Sequence, residues 1–103
     1  MGKAQRVKGA AGEREAAKIL SEELNIPVQR VLDQTRDGGC DLVIKCENLT
    51  FRIEVKRQEK TSIYKWFEQV QASCSTHRDV PIVMFRTSRK QWLFCGNLQL
   101  LIR

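Results

Sequence analysis

Two short strand-like segments separated by one tight turn constrain the fold of this chain more than any other feature. The first, residues 40–44, is apolar apart from Asp41 near its start. The second, residues 50–56, alternates apolar with polar side chains and contains Glu54 and Lys56. Alternation with a period of two predicts a strand that turns one face to the core. The polar residues between the segments predict that the two strands form a hairpin.

The remaining elements follow from apolar periodicity and turn residues. Two helices are expected, over residues 10–24 and 62–75. Five strands are expected, at residues 28–32, 40–44, 50–56, 81–86 and 91–95. Trp92 and Phe94 alternate on the last strand and are expected in the core, whereas residues 98–103 fit either a strand or a helix. Helix, three strands, helix and two strands predict an α/β fold, a mixed sheet flanked by helices.

The size and charge of the chain limit the range of functions that it can have. Its 103 residues correspond to a single domain, residues 1–103, in which residues 1–8 are expected to be flexible. Lys and Arg number 18 against 12 Asp and Glu, which gives a net charge of +6. An excess of basic side chains favours a nucleic-acid partner. Charge alone leaves a merely basic globular protein equally open.

The cysteines and the absence of long apolar stretches indicate the cellular compartment in which the protein is expected. Four cysteines occur, Cys40, Cys46, Cys74 and Cys95, and none forms a C-x-x-C pair. This spacing disfavours a zinc site. No signal peptide is recognisable, so a cytoplasmic protein with reduced thiols is expected. No apolar stretch is long enough to cross a membrane, so no membrane partner is expected.

The charged residues of the two strands are suited to holding a divalent cation beside a phosphate. Glu54 and Lys56 are two residues apart, so they project from the same face of a strand. We expect Asp41 and Glu54 to bind Mg²⁺, or Mn²⁺ as a substitute, with the backbone carbonyl of Val55 and waters as further ligands. Lys56 would orient the attacking water or stabilise the transition state. The alternative is an ordinary solvated strand face.

Glu13 supplies an independent observation. By helical spacing it lies within an apolar stripe of the first helix, made by Ala16, Ala17, Leu20 and Leu24. A carboxylate that faces a core requires a metal or a cation as a partner. The other interpretation is that Glu13 lies in the first helical turn, favours the helix dipole and points to water. Glu13 alone leaves both interpretations open.

Four blocks of residues resemble the PD-(D/E)XK nuclease superfamily, and within it the archaeal-type Holliday junction resolvases and their phage relatives. They are Lys8-Gly9-Ala10 with Glu13-Arg14-Glu15, Val28 with Arg30, Asp41-Leu42-Val43, and Ile53-Glu54-Val55-Lys56. The order and spacing of all four blocks make the resemblance more specific than the E-x-K pattern alone. One departure is Cys40, which stands where many members of the superfamily have proline at a turn.

The resemblance implies a restriction-endonuclease-like fold in the order αβββαββ, together with roles for individual residues. Glu13, Asp41 and Glu54 would be the acidic metal-site residues, Glu13 directly or through water, and Lys56 the catalytic lysine. Thr35 stands near the place where relatives carry a functional serine. The residues expected to bind DNA are Lys8, Arg14, Arg30, Thr35, Arg36 and Arg57.

The function implied by the resemblance is a Mg²⁺-dependent endonuclease that hydrolyses DNA phosphodiester bonds. The expected substrate is branched DNA, as for a Holliday junction resolvase, and the expected assembly is a homodimer in the cytoplasm of a prokaryotic, archaeal or phage-infected cell. One alternative is a phage or mobile-element nuclease of the same superfamily that acts on nicked, flapped or linear DNA. The other is a non-catalytic nucleic-acid-binding module with this fold.

Overall fold

A computed structural model describes the backbone of residues 3–31, 40–98 and 100 and the side chains of residues 9–31, 40–98 and 100. It contains α1 (Lys3–Leu24), β1 (Gln29–Arg30), β2 (Leu42–Cys46), β3 (Leu49–Arg57), α2 (Ile63–Ala72), β4 (Asp79–Arg86) and β5 (Leu93–Cys95). The order αβββαββ is the predicted one. The α/β fold class is therefore confirmed.

The strands form one mixed sheet in the order β1-β2-β3-β4-β5. β2 and β3 form the predicted hairpin, whose register runs from Leu42 opposite Ile53 to Cys46 opposite Leu49. β3 and β4 are parallel, while the other neighbouring pairs are antiparallel. A parallel pair requires a crossover connection, and α2 provides it. Both β3 and β4 consequently end at the same end of the sheet.

Each helix covers one face of the sheet. On the α1 face the buried core consists of Ala16, Leu20, Leu42, Ile44, Ile53, Val55, Val80, Ile82 and Met84. On the α2 face it consists of Cys40, Val43, Trp66, Val70, Val83 and Phe85. Because side chains alternate along a strand, the even-numbered residues of β3 face α2. Glu54 and Lys56 therefore lie on the α2 face.

The helices differ from the predicted ones at their ends. α1 begins at Lys3 rather than at residue 10, because the residues before Gly9 are mostly good helix formers. α2 ends at Ala72 rather than at residue 75, and Ser62 is its N-cap without a capping side-chain hydrogen bond. Within the described residues, no helix is long and apolar enough to cross a membrane.

Two expectations about the strands are corrected. The first strand is expected over residues 28–32, and the structure describes residues 28–31 of this range. Among them only Gln29–Arg30 form a strand, β1. Phe94 is 54% exposed rather than in the core, because β5 is an edge strand. Trp92 precedes β5 and is half-buried against the α1-face core. The predicted loop at residues 33–39 lies outside the described residues, as does most of residues 98–103.

Candidate active site

Asp41 lies just before β2, where neighbouring strands hold both its backbone and its side chain. Its N–H donates to the carbonyl of Ile53 (2.8 Å), and its carbonyl accepts a hydrogen bond from the N–H of Val31 (2.9 Å). Oδ2 of its side chain accepts a hydrogen bond from the N–H of Val55 at 2.8 Å. Because Asp41 is only 4% exposed, the protein rather than solvent determines the position of this carboxylate.

Glu54 and Lys56 project together from β3, as the alternation predicts. Nζ of Lys56 lies 3.5 Å from Oε1 of Glu54. Burial, followed by the negative charge of Asp41, raises the pKa of Glu54 to about 7, and Lys56 opposes this rise. Glu54 is 9% exposed, so it does not belong to an ordinary solvated strand face. A cation beside it would favour its ionised form.

Glu13 approaches the same group of carboxylates from α1. Nη2 of Arg30 donates to Oε2 of Glu13 at 3.5 Å. Burial, followed by the charge of Asp41, raises the pKa of Glu13, whereas Arg30 acts in the opposite direction. Of the two interpretations of Glu13, the structure thus supports the one with a partner. The half-buried carboxylate lies between a cationic side chain and an acidic one.

The oxygen atoms at this place are suited to a hard divalent cation. In an extended strand the N–H and C=O of one residue point to the same side, so the carbonyl of Val55 lies on the Asp41 side of β3. No three His, Cys, Asp or Glu side chains within the described residues form a ready-made metal-binding group. The carbonyl of Val55 and waters would complete, beside Asp41 and Glu54, a ligand set that Mg²⁺ accepts.

The residues predicted to bind DNA are not all brought to this place. Arg30 takes part in the ion pair described above, and Arg14 is exposed on α1. Arg57 lies on the α1 face, opposite to Lys56, and its Nη1 donates to Oε2 of Glu15 at 3.5 Å. Three further predicted residues, Lys8, Thr35 and Arg36, have side chains outside the described residues.

Glu15 contacts several side chains although no role was predicted for it. Nε1 of Trp92 donates to Oε1 of Glu15 at 2.9 Å, and Nε of Arg86 lies 3.1 Å from the same oxygen. Burial alone would raise the pKa of Glu15, but the hydrogen bonds from Trp92 and Arg86 and the charge of Arg57 lower it. The partners lie 42, 71 and 77 residues away in sequence. No local spacing pattern indicates such contacts.

Cys40, the residue in place of the usual proline, is buried directly before Asp41. Nη1 of Arg52 donates to its Sγ at 3.9 Å, and Nε of Arg52 lies 3.4 Å from Oδ2 of Asp79. Burial raises the pKa of the Cys40 thiol. Cys40 is therefore a small neutral side chain of the α2-face core.

Comparison with known protein families identifies a family that the chain matches. A profile of the family described as "Phage putative PDDEXK endonuclease" matches residues 4–100. The chain belongs to this family. The matched region of the PDDEXK endonuclease profile contains Glu13, Asp41, Glu54 and Lys56, and it extends through β4 and β5. No match was found among curated proteins.

Among solved structures, this PDDEXK family member is similar to Archaeoglobus fulgidus Hjc, a Holliday junction resolvase from an archaeal hyperthermophile. The TM-score is 0.66 and the sequence identity 22%, over 86% of this chain and 72% of that chain. At this identity the similarity shows the fold alone. It confirms the restriction-endonuclease-like fold that the four sequence blocks predicted.

Proposed function

We propose that this chain is a Mg²⁺-dependent endonuclease that hydrolyses phosphodiester bonds in DNA. The observation that carries the proposal is the hydrogen bond of 2.8 Å between the N–H of Val55 and Oδ2 of Asp41. It fixes a buried carboxylate beside the strand that carries Glu54 and Lys56. Membership in a family of endonucleases supports the same activity.

The proposed roles follow from the chemistry of each group. Asp41, Glu54 and the carbonyl of Val55 would hold the cation, and Glu13 would bind it directly or through water. A bound Mg²⁺ ion lowers the pKa of a ligand water and neutralises charge on the phosphate. Lys56 is a point charge, suited to orienting the attacking water or to stabilising the charge that develops on the phosphate.

Basic side chains near the ends of β3 and β4 are suited to contact the DNA backbone. The turns that follow these strands are joined, because the N–H of Ser88 donates to Oε1 of Glu59 at 3.2 Å and its hydroxyl donates to the same oxygen. Three exposed basic residues lie on these turns, Lys60, Arg89 and Lys90. Contacts from Lys and Arg to phosphates do not depend on the base sequence of the DNA.

The activity is tested by cleavage of DNA with Mg²⁺ and with EDTA. We expect cleavage only with Mg²⁺, and we expect Asp41→Asn to lower the rate by a factor on the order of 100 or more, because it removes a charged metal ligand. Asp79→Asn is the matched control, since Asp79 is a second buried aspartate. Mg²⁺-dependent cleavage that survives in Asp41→Asn would contradict the assignment of this site.

For the substrate we propose branched DNA such as a four-way junction. A junction presents two symmetry-related strands, and a two-fold homodimer places one active site at each. The similarity in fold to a Holliday junction resolvase is compatible with this choice. Assays of a junction, a flap, a nicked duplex and a linear duplex side by side test it. Symmetric nicks confined to the junction are expected, and equal cutting of linear duplex would contradict it.

The second candidate function, a PDDEXK nuclease for nicked, flapped or linear DNA, is favoured by the phage description of the family. It shares the chemistry and differs only in the result of the substrate comparison. A non-catalytic module would instead bind DNA without cutting any of the four substrates. The complete set of Glu13, Asp41, Glu54 and Lys56 argues against such a module, since a module that only binds does not require a metal site.

A further inference from the structure

The carboxylate of Glu15 is the centre of a polar cluster with Arg57, Arg86 and Trp92. Both of its oxygens are engaged: Oε1 accepts from Nε1 of Trp92 at 2.9 Å, and Oε2 accepts from Nη2 of Arg86 at 3.3 Å and from Nη1 of Arg57 at 3.5 Å. The guanidinium carbon of Arg86 also lies 5.5 Å from the ring centroid of Trp92. One side chain of α1 thereby contacts β3, β4 and the segment before β5.

Two of these partners would repel each other without Glu15. Arg57 and Arg86 are direct neighbours in the parallel register of β3 and β4, and like charges in such a position destabilise the strand pair. Each ion pair is partly exposed and is weak on its own. A single carboxylate shared by two guanidinium groups and an indole N–H is a network, which contributes more than an isolated pair.

A second, independent observation places α1 directly above the end of β3. A methyl group built on Gly12 would lie 3.3 Å from Cβ of Arg57, which is closer than ordinary side-chain packing. A residue without a side chain lets the helix approach the strand this closely without displacing either of them. The helix and the strand therefore meet at Gly12 and Arg57, three residues before Glu15 on α1.

The positions of Glu13 and Glu15 on α1 give the cluster a consequence for the active site. Residues two apart on a helix point in directions roughly 200° apart. Glu13 contacts Arg30 of β1, whereas Glu15 contacts the ends of β3 and β4. Contacts on both sides of the helix oppose its rotation about its own axis, and such a rotation would move Glu13 away from Asp41.

We propose that Glu15 is a positioning residue that holds the Glu13 carboxylate beside Asp41 by fastening α1 to the ends of β3 and β4. This inference rests on the proposed nuclease function and adds to it a role for Glu15, Arg86 and Trp92. Glu15 itself would contact neither DNA nor the cation. Its effect on cleavage would pass through Glu13.

The first test uses the full chain with Glu15→Gln, and Glu22→Gln as the matched control on the exposed side of α1. In EDTA, amide hydrogen exchange in residues 12–18 and 54–57 should become about tenfold faster in Glu15→Gln and stay unchanged in the control. With Mg²⁺, the cleavage rate at saturating DNA should fall about tenfold, while the DNA dissociation constant measured in EDTA changes less than about twofold.

The second test asks whether Glu15 acts through Glu13. In a Glu13→Gln background, Glu15→Gln should lower the cleavage rate by less than about twofold further, because no carboxylate is left to position. The proposal would be overturned if the cleavage rate of the double variant fell by the product of the two single-variant factors. Unchanged amide hydrogen exchange in Glu15→Gln would overturn it as well. If Glu15→Gln does not fold, Trp92→Phe, which removes one N–H donor, replaces it. This variant should show faster amide exchange and slower cleavage by smaller factors. If it shows neither, the proposal is overturned.

The two proposals fail differently. A wild-type chain that cuts no DNA with Mg²⁺ would contradict the nuclease function and with it the role of Glu15 in cleavage. The exchange measurement would then still support or contradict the fastening of α1 to β3 and β4. Normal cleavage by wild type together with unaltered exchange in Glu15→Gln would contradict the role of Glu15 alone.

Discussion

Glu54 shows how burial and charge act together on one side chain. It lies on the α2 face of β3, near Asp41, and its Oε1 is 3.5 Å from Nζ of Lys56. Burial and the charge of Asp41 outweigh Lys56, so its pKa rises from 4.5 to about 7. Ionised Glu54 therefore costs folding free energy unless a further cation is present. A protein site with this property favours cation binding over maximal stability.

The first prediction concerns Glu54→Gln in EDTA. Since the folded pKa lies above the ordinary value, the contribution of Glu54 to wild-type stability should be complete below about pH 4.5 and be lost as the pH rises through about 7. The Gln variant has no ionisation at this position and should lack this fall. Its free energy of unfolding relative to wild type should therefore increase by on the order of 2 kcal/mol between pH 5 and pH 8. Urea denaturation across this range measures it.

Glu68→Gln serves as the control, because Glu68 is exposed on α2. Its stability difference from wild type is measured over the same pH range. A Glu54→Gln difference that is equally independent of pH would contradict the raised pKa of Glu54. Added Mg²⁺ should reduce the difference between wild type and Glu54→Gln at pH 8, because ligand binding stabilises only the folded wild-type site.

At the scale of one element, α1 contains two glycines in different surroundings. A methyl group on Gly9 would meet no atom within 4 Å, whereas one on Gly12 would lie 3.3 Å from Cβ of Arg57. Both residues are inside the helix, where alanine is intrinsically favoured over glycine. The two substitutions thus differ only in what the added methyl group contacts.

We predict that Gly9→Ala raises the free energy of unfolding by up to about 1 kcal/mol. The free energy of unfolding of Gly12→Ala should be lower than that of Gly9→Ala by about 1 kcal/mol, because its methyl group displaces the helix or the Arg57 side chain by a few tenths of an ångström. Thermal and urea unfolding of both variants measure the difference. Equal gains would mean that α1 does not approach β3 as closely as described.

The whole molecule carries a net charge of +6, and this has a consequence for binding. DNA affinity should fall linearly with salt on logarithmic axes, because basic side chains release counterions from phosphates. Lys90→Ala should reduce the slope by about 1 if Lys90, on the turn after β4, contacts a phosphate. Fluorescence anisotropy in EDTA at several salt concentrations gives both slopes. Lys45→Ala, at the opposite end of the sheet, is the control and should leave the slope unchanged.

The proposed homodimer gives a prediction at the same scale. β5 is an edge strand, and Phe94 on it is 54% exposed, so this side chain is accessible to a partner. If a second copy binds there, Phe94→Asp should shift the protein from dimer to monomer in analytical ultracentrifugation. Tyr64→Asp tests the exposed side of α2 instead. A monomeric wild type would contradict the homodimer.

Much of the fold follows from local patterns. The period of two over residues 50–56 and the apolar run beside it predict the hairpin, and helical spacing predicts α1 and α2. A two-residue spacing also indicates that Glu54 and Lys56 share a strand face, whereas helical spacing alone left two interpretations of Glu13 open. The end of α2 was not predictable in this way, because the Asp79 carboxylate, from the next strand, accepts the N–H groups of Ser75 and Thr76.

The sequence by itself thus determined the element order and the fold class, and it predicted the acidic residues with their lysine. Only the tertiary structure decided that Arg57 pairs with Glu15, that Phe94 lies on an exposed edge and that Trp92 contacts α1. The physical reason is that periodicity is a property of neighbouring residues, whereas these contacts depend on strand order. Parallel pairing of β3 and β4 brings Arg57 and Arg86 together under α1, and no local spacing contains that information.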